Sequence, residues 1–331
     1  MLKDIHREGG SILGSSRGSF NGEEIVNCLE KEKINACFII GGDGTHRGIL
    51  ELTKIIKERK LMISIVGIPK TIDNDIAIID KSFGFLTAVE MAQLAIDAAN
   101  VEATSAPNGV GLVKLMGRDA GHLALIATLS SRDVNVCLLP EFKYDLYGSE
   151  GLLEHVCNRV LSRGHCVIVV GEGAGVGCRD AVISDKVKKD PSGNIIPSDI
   201  GTFLKDEIVN YGKVKRGIDI TLKYIDPSYI LRGAPANPLD KYMCGFLAQN
   251  SVHGVMAGYT NFSVGIVKGS SVCIPIEMIA NNKPSLVRPD SRFYLRMMLN
   301  TGQPSFLNEK KVETDEKKIK ESKLEEQNSK K

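Results

Sequence analysis

Short apolar runs rich in Val and Ile, each closed by Gly or Pro, alternate along this chain with longer stretches of helical periodicity. That alternation is the pattern of βα units around a mainly parallel sheet. A strand buried on both faces reads as an unbroken apolar run, and the helix covering it shows one apolar stripe. The runs predict strands at 35–40 (NACFII), 62–68 (MISIVGI), 108–115 (NGVGLVKL), 134–140 (VNVCLLP), 165–171 (HCVIVVG) and 218–225 (IDITLKYI). Helices are expected between them, at about 47–59, 82–101, 121–131, 149–162, 199–210 and 240–257. In the second of these, Phe85, Val89, Ala92, Leu94 and Ala95 fall close to one face, which should dock on a sheet. No repeat of solenoid length recurs. The polar stretch 179–199, with its PSGN turn, reads as a surface hairpin or loop. From Thr314 onward (TDEKKIKESKLEEQNSKK) charge is too dense, and apolar side chains too few, to order a backbone; a disordered tail, 314–331, is expected.

Composition narrows the partners more than the fold. A chain of 331 residues is long enough for about two domains, each burying its own core. Lys and Arg total 42 against 40 for Asp and Glu, a net charge of +2, so there is no global field to draw nucleic acid or a membrane surface. Any basic site must be local. The first residues lack an apolar signal core and no stretch reaches the roughly 18 apolar residues of a membrane span, which points to a soluble, cytoplasmic protein. The eight cysteines form no C-x-x-C pair and sit mostly in apolar runs. Buried thiols in a reducing compartment are therefore expected, rather than disulfides or metal ligands.

In an open parallel sheet, ligands collect beyond the carboxyl ends of the strands, so the residues that follow each apolar run carry the chemistry. Four such ends stand out. The first is Gly41-Gly42-Asp43-Gly44-Thr45, between a strand and a helix. Glycines let backbone amides approach an anion, the helix N-terminus adds partial positive charge, and Asp43 can reach a hydrated Mg²⁺; a plain turn capped by Thr45 is the alternative. The second is Pro69-Lys70-Thr71-Ile72-Asp73-Asn74-Asp75, where two carboxylates two residues apart can divide proton acceptance from metal binding, as phosphoryl transfer requires. The third, Met116-Gly117-Arg118, offers a guanidinium able to steady charge on a transferring phosphoryl group. The fourth is Glu172 in VIVVGEGAG, a carboxylate between glycines where a sugar hydroxyl can approach the backbone.

Taken together, these residues resemble the 6-phosphofructokinases, in particular the ATP-dependent branch of plants and several protists. The likeness runs from about Ile5 to Phe306 through GGSILGSSRG, IIGGDGT, GIPKTIDNDI, IDKSFGFLTAVE, VKLMGRDAGHLAL, LKYIDPSYILRGAPAN and FLAQNSVHGVMAGYT. It implies an α/β fold of two Rossmann-like lobes with mainly parallel sheets. The nucleotide lobe would be 1–84 with 232–281, and the sugar-phosphate lobe 85–231 with 282–313. By the same resemblance the reaction moves a phosphoryl group from MgATP to the 1-hydroxyl of fructose 6-phosphate, with Mg²⁺ and ATP as cofactor and donor. Asp73 would take the hydroxyl proton, Thr71 would bond near the attacking oxygen, Arg118 would steady the transferred group, and Lys70 would assist. Asp43 and Asp75 would serve the metal. Arg17 and Gly18, with Gly42 to Thr45, match nucleotide-phosphate contacts. Met116, Gly117, Glu172, Tyr229 and Arg232 match sugar-phosphate contacts, Arg232 being aimed at the 6-phosphate with Lys223 as helper. A homo-oligomer, dimer or tetramer, with no nucleic-acid or membrane partner, is implied as well.

Pyrophosphate-using relatives carry an aspartate where this chain has Gly44, so the donor is expected to be ATP; Lys70 is a residue type that pyrophosphate enzymes share. Two departures bear on activity. Nothing matches the opening turn of relatives, G-G-x-x-P-G-x-N, and Gly109 stands where bacterial enzymes place an arginine that crosses a subunit boundary. A catalytically impaired fragment or regulatory chain that binds the sugar phosphate but handles ATP poorly is therefore the rival reading. The GGDGT turn alone also fits kinases of dinucleotides or lipids, against which PKTIDND and MGR speak. His122 is read as a helix-face residue.

Overall fold

The computed structural model describes residues 5, 8–14, 20–178 and 199–307. Arg17, Gly18, the polar segment at 179–198 and the tail at 314–331 lie outside the described residues. The strands form two separate four-stranded sheets. In the first, β1 (Ala36–Gly41), β2 (Ser64–Pro69), β7 (Phe262–Val267) and β8 (Ser270–Pro275) lie in the order β1-β2-β7-β8, parallel except for β8. In the second, β3 (Gly109–Leu115), β4 (Val136–Leu138), β5 (His165–Gly171) and β6 (Thr221–Ile225) lie in the order β4-β5-β3-β6, all parallel. The α/β class with mainly parallel sheets is as expected.

Alternation within each strand decides which helices cover it. In the second sheet Val110, Leu112, Cys166, Ile168 and Val170 face α5 (Leu152–Arg163) and α6 (Ile200–Tyr211). Val113, Leu115, Val167 and Val169 face α3 (Phe85–Ser105), α4 (His122–Ser131) and α10 (Arg292–Thr301). In the first sheet Ile65 packs with α1 (Gly22–Lys31), α2 (Asp43–Glu58) and α9 (Ile276–Ala280), while Val66 on the other face meets α8 (Pro238–Met256). Full burial of each such side chain contributes about 1.5–3 kcal/mol; β3 and β5 of the second sheet are covered on both faces, whereas β1 of the first leaves Phe38 and Ile40 exposed.

Registers place the chemistry. Gly41 lies opposite Pro69, and Leu115 lies opposite Gly171, so within each sheet the two informative turns leave at the same level. Helix starts follow from their caps: Asn21 accepts from Glu24 N–H, Asn237 from Asp240 N–H, and Ser291 from Tyr294 N–H. The two chain crossings between the sheets, from β2 to β3 and from β6 to β7, meet at Asp240, which is fully buried. Its carboxylate accepts from Gly84 N–H (3.0 Å), Thr87 N–H (2.8 Å) and the Thr87 hydroxyl (2.6 Å), capping α3 from across the junction.

Several expectations change. The six predicted strands form, but β4 is three residues long and β6 starts only at Thr221. The β7–β8 hairpin was not expected; its turn, Lys268-Gly269, has positive φ at both positions (50° and 78°), the two-residue geometry that a Lys-Gly pair signals only weakly. Leu94 is 59% exposed and off the stripe, whose members are Phe85, Ala88, Val89, Ala92, Ile96, Ala99 and Ala103. The cause is angular: Leu94 sits about 160° around the helix from Ala92 plus one turn, on the far side. All eight cysteines are free; Cys137, Cys157, Cys166 and Cys178 are buried as expected, whereas Cys28 and Cys273 are exposed on a helix and an edge strand. Among the described residues no helix is long and apolar enough to cross a membrane.

Candidate active site

Helix α2 begins at Asp43, not near Arg47, so most of the GGDGT turn is the first turn of a helix. Gly42 is its N-cap, with no side-chain cap, and Thr45 is inside the helix rather than capping it. The first amides of a helix have no partner within it, so those of Asp43, Gly44 and Thr45 are offered outward to an anion. Gly41 has to be glycine: a Cβ there would lie 2.1 Å from Thr45 Oγ1. Gly44 is different, since a Cβ there would meet nothing within 4 Å. Asp43 is ion-paired with Arg47 one turn on (2.6 Å).

Beside this turn, the loop after β2 is folded by its own polar side chains. Asn74, at φ 53°, accepts through Oδ1 from Ser82 N–H (2.8 Å), and the Ser82 hydroxyl donates to Thr71 O (2.6 Å). Thr71 Oγ1 accepts from Asp73 N–H (3.2 Å), and Ser285 N–H donates to Asp75 O (2.8 Å). The loop turns inward one oxygen each of Asp73 and Asp75, buried and without a hydrogen-bond partner. Burial, followed by the charges of Asp75 and Glu172, pushes the Asp73 carboxyl up to about 7, against the opposing pull of Arg118. Burial also raises Asp75, with Asp43 adding to the effect and a hydrogen bond from Thr71 opposing it. Carboxylates left orphaned in this way await a proton, a cation or a substrate hydroxyl.

The opposite wall comes from the second sheet. Gly117 (φ 132°) turns the chain after β3, and its carbonyl accepts from Gly173 N–H (3.1 Å) in the 3-10 turn Glu172–Gly177 that follows β5. Gly173 has no room for a side chain, because a Cβ would lie 1.6 Å from Arg118 O. This contact brings Arg118 and Glu172 together. The short helix α7 (Ser228–Gly233) supplies Tyr229 and Arg232, with the guanidinium 5.5 Å from the ring centroid. Tyr229 is 83% exposed, so it is no core tyrosine.

These walls enclose one cleft of about 820 Å³. Gly42 to Thr45, Thr71, Asp73 and Asp75 line it on one side, and Met116 to Arg118, Glu172, Tyr229 and Arg232 on the other. Lys70, which is exposed, lies in an adjoining hollow of about 550 Å³ that shares Gly42, Thr71, Asp73, Met116 and Arg232 with the cleft. Lys223 stands apart: it sits mid-strand on β6 and pairs with Glu102 at 3.8 Å, so within one chain it does not reach Arg232's side of the cleft. The resemblance offered it as a helper to Arg232, and it is not among the residues lining the cleft.

Sequence reasoning missed three lining or supporting groups. Asp119 and Asp226 line the cleft, and Lys114 pairs with both Asp226 (2.8 Å) and Asp199 (3.1 Å). Asp226 in turn accepts from the Ser228 N–H and hydroxyl, which fixes the start of α7 and hence Arg232. Only the position of Asp226 just beyond a strand end could have signalled this. Asp43 is ion-paired with Arg47 and Asp226 with Lys114, while Asp73, Asp75, Asp119 and Glu172 share the cleft with Arg118 and Arg232. Among the described residues no group of three or more acidic, His or Cys side chains could cage a metal. Asp43 and Asp75 suit Mg²⁺, which takes one or two carboxylates and completes its shell with water and phosphate oxygens.

Comparison with known proteins identifies the family. Residues 1–255 match the family model described as Phosphofructokinase. The chain is 49% identical over 313 residues to ATP-dependent 6-phosphofructokinase 1 of Arabidopsis thaliana, covering 93% of this chain and 65% of that protein. It is 47% identical over 312 residues to ATP-dependent 6-phosphofructokinase of Borreliella burgdorferi, covering 92% and 68%. The chain thus spans about two thirds of the length of the curated relatives it matches. A pyrophosphate-dependent phosphofructokinase from Marinobacter aquaeolei shares the fold, with TM-score 0.70 at 20% identity over 92% of this chain and 75% of that one. From its glycine-bounded phosphate turn to its paired aspartates, and over most of its length, the chain belongs to the phosphofructokinase family.

Proposed function

We propose that this chain catalyses transfer of the γ-phosphoryl group of ATP to the 1-hydroxyl of fructose 6-phosphate, giving fructose 1,6-bisphosphate. The observation that carries the reading is Asp73: an unpartnered, buried carboxylate oxygen with its pKa near neutrality, in the cleft between the phosphate turn and two guanidinium groups. A general base works best with a pKa close to the working pH. As the sugar oxygen attacks, a new O–P bond forms, the bond from the γ-phosphorus to the bridging oxygen breaks, and the hydroxyl proton passes to Asp73. The α2 amides and Arg118 hold the phosphate chain and the transferred group, and Arg232 holds the 6-phosphate of the sugar. Mg²⁺ held by Asp43 and Asp75 would draw negative charge off the phosphates.

Several further parts of the reading rest on the same support. ATP rather than pyrophosphate is favoured by Gly44, whose open surroundings would admit an aspartate sterically but which offers no charge against a longer donor. The lobe of 1–84 and 232–281 would hold the nucleotide, and that of 85–231 and 282–313 the sugar phosphate. The exposed apolar side chains Leu239, Tyr242 and Met256 on α8 support a homo-oligomer, and eight free cysteines support a cytoplasmic setting.

The test is Asp73→Ser in this chain. Turnover should fall by at least about 10²-fold, the usual size of lost base catalysis, with fructose 6-phosphate still bound. Native turnover in that variant would remove Asp73 from its role, and absence of ATP-dependent product from the unmodified chain would refute the activity.

A further inference from the structure

We propose that His46, a residue with no part in the chemistry described so far, is the positioning residue of the phosphate turn and sets the affinity for the nucleotide through the Gly42–Asp43 peptide. The inference rests on the reading that this turn receives the donor phosphates.

His46 lies in the first turn of α2 and is fully buried. Its Nδ1 is 2.9 Å from Gly42 O, and its Nε2 is 3.0 Å from Ser263 Oγ on β7. A carbonyl only accepts, so Nδ1 carries the proton, and Nε2, left with its lone pair, shares the Ser263 hydroxyl proton with Gly67 O on β2, 3.1 Å from Ser263 Oγ. Burial keeps the ring neutral. Room for it is reserved on β2, where a Cβ at Gly67 would lie 3.0 Å from Nε2.

The consequence follows from peptide planarity. In a trans peptide the C=O of Gly42 and the N–H of Asp43 point in opposite directions. Gly42 O accepts from both the backbone N–H of His46 (3.2 Å) and its imidazole, and the second bond reinforces the first in aiming the Asp43 N–H outward, into the cleft. Gly42 is the helix N-cap yet has no side chain to fix its own peptide, and its ψ of −161° is open to the wide excursions glycine allows. The same device acts one residue earlier, where Lys70 N–H holds Gly41 O at 2.8 Å and so turns out the Gly42 N–H. An apolar residue at 46 would still leave Gly42 O its bond from the backbone N–H of that residue and Ser263 its bond to Gly67 O, so the imidazole is not needed merely to satisfy them. A buried polar chain across three elements is better explained by the single geometry it enforces.

The experiment uses the full chain with His46→Asn, His46→Gln and His46→Leu. Asn places its amide where Nδ1 stood and keeps the donor to Gly42 O; Gln places it nearer Nε2 and keeps only the Ser263 side; Leu keeps neither. Calorimetry should give a Kd for MgATP about tenfold higher in the Gln and Leu variants, the equivalent of one lost hydrogen bond, and within about threefold of native in the Asn variant. The Kd for fructose 6-phosphate should stay within about twofold in all three. Amide exchange of segment 41–47, read without nucleotide, should quicken in Gln and Leu but not in Asn. Ser263→Ala, which perturbs folding least, should raise the MgATP Kd by about two- to threefold. Equal behaviour of Asn and Gln, parallel loss of both ligands, or unchanged MgATP affinity overturns the proposal. If the native chain binds no MgATP, the reading of the turn fails instead, and the exchange pattern alone then decides whether His46 positions the peptide.

Discussion

The two walls of the cleft are built by different means. On the wall from the first sheet, side chains do the fastening: His46, Ser263, Asn74 and Ser82 tie down turns that leave a sheet whose outer strand shows Phe38 (39% exposed) and Ile40 (44%) to solvent. On the wall from the second sheet, backbone meets backbone at Gly117 and Gly173, above strands buried on both faces. A wall held by polar side chains should yield by degrees when one bond is removed. A wall held by glycine contacts should tolerate nothing added. Asp73 belongs to the first wall by chain and to the second by charge, since Glu172, Arg118 and Asp119 help set its pKa.

The largest effect expected from this difference is on Asp73 itself. With its pKa near 7, kcat/KM should fall about tenfold per pH unit below that value as the base is protonated, and the limb should vanish in Asp73→Asn. Its stability effect has the opposite direction. The folded pKa lies above the ordinary 3.8, so between the two values the native state holds a proton the unfolded state has lost, and stability declines as pH rises from about 4 to about 7. Asp73→Asn should therefore melt higher than the native chain at pH 8, with the gap closing toward pH 4; a gap that widens on acidification contradicts the assigned environment.

Next in size is Gly173→Ala. Its Cβ would be driven into Arg118 O, and overpacking of this kind costs about 1–3 kcal/mol. The urea midpoint should drop and fructose 6-phosphate affinity should weaken more than that for MgATP; loss of both equally would mean the walls are not independent. Ser82→Ala removes one brace of the first wall and should cost about 1 kcal/mol by the same denaturation, touching MgATP and sugar only mildly. Smallest of all is Gly44→Ala, where nothing lies within reach of the new methyl and the midpoint should shift by no more than about 0.5 kcal/mol.

Much of the second sheet could be read from the chain because its strands β3 and β5 are nearly unbroken apolar runs. The first sheet was read only in part. Its β7–β8 hairpin alternates Ser with Val and Ile around a Lys-Gly turn, and neither signal is strong alone. Strand ends pointed to Asp73, Asp75, Arg118 and Glu172, since polar residues massed beyond an apolar run have few structural excuses, and the structure gathers all four around one cleft. His46 and Asp240 escaped for the reverse reason: each looks like an ordinary polar helix residue, and only the packed fold reveals that both are fully buried. Lys223, offered by resemblance, sits mid-strand beside Glu102 and outside the cleft lining, a depth along the strand that the chain does not announce.

The Asp240 cap on α3 also dictates how this molecule can breathe. Hydrogen bonds to a charged group contribute about 1.5–3 kcal/mol each, and three converge there from the two crossing segments, whereas the rims of the cleft face each other across open space. Any rocking of one half against the other would therefore hinge at that rivet rather than at the rims.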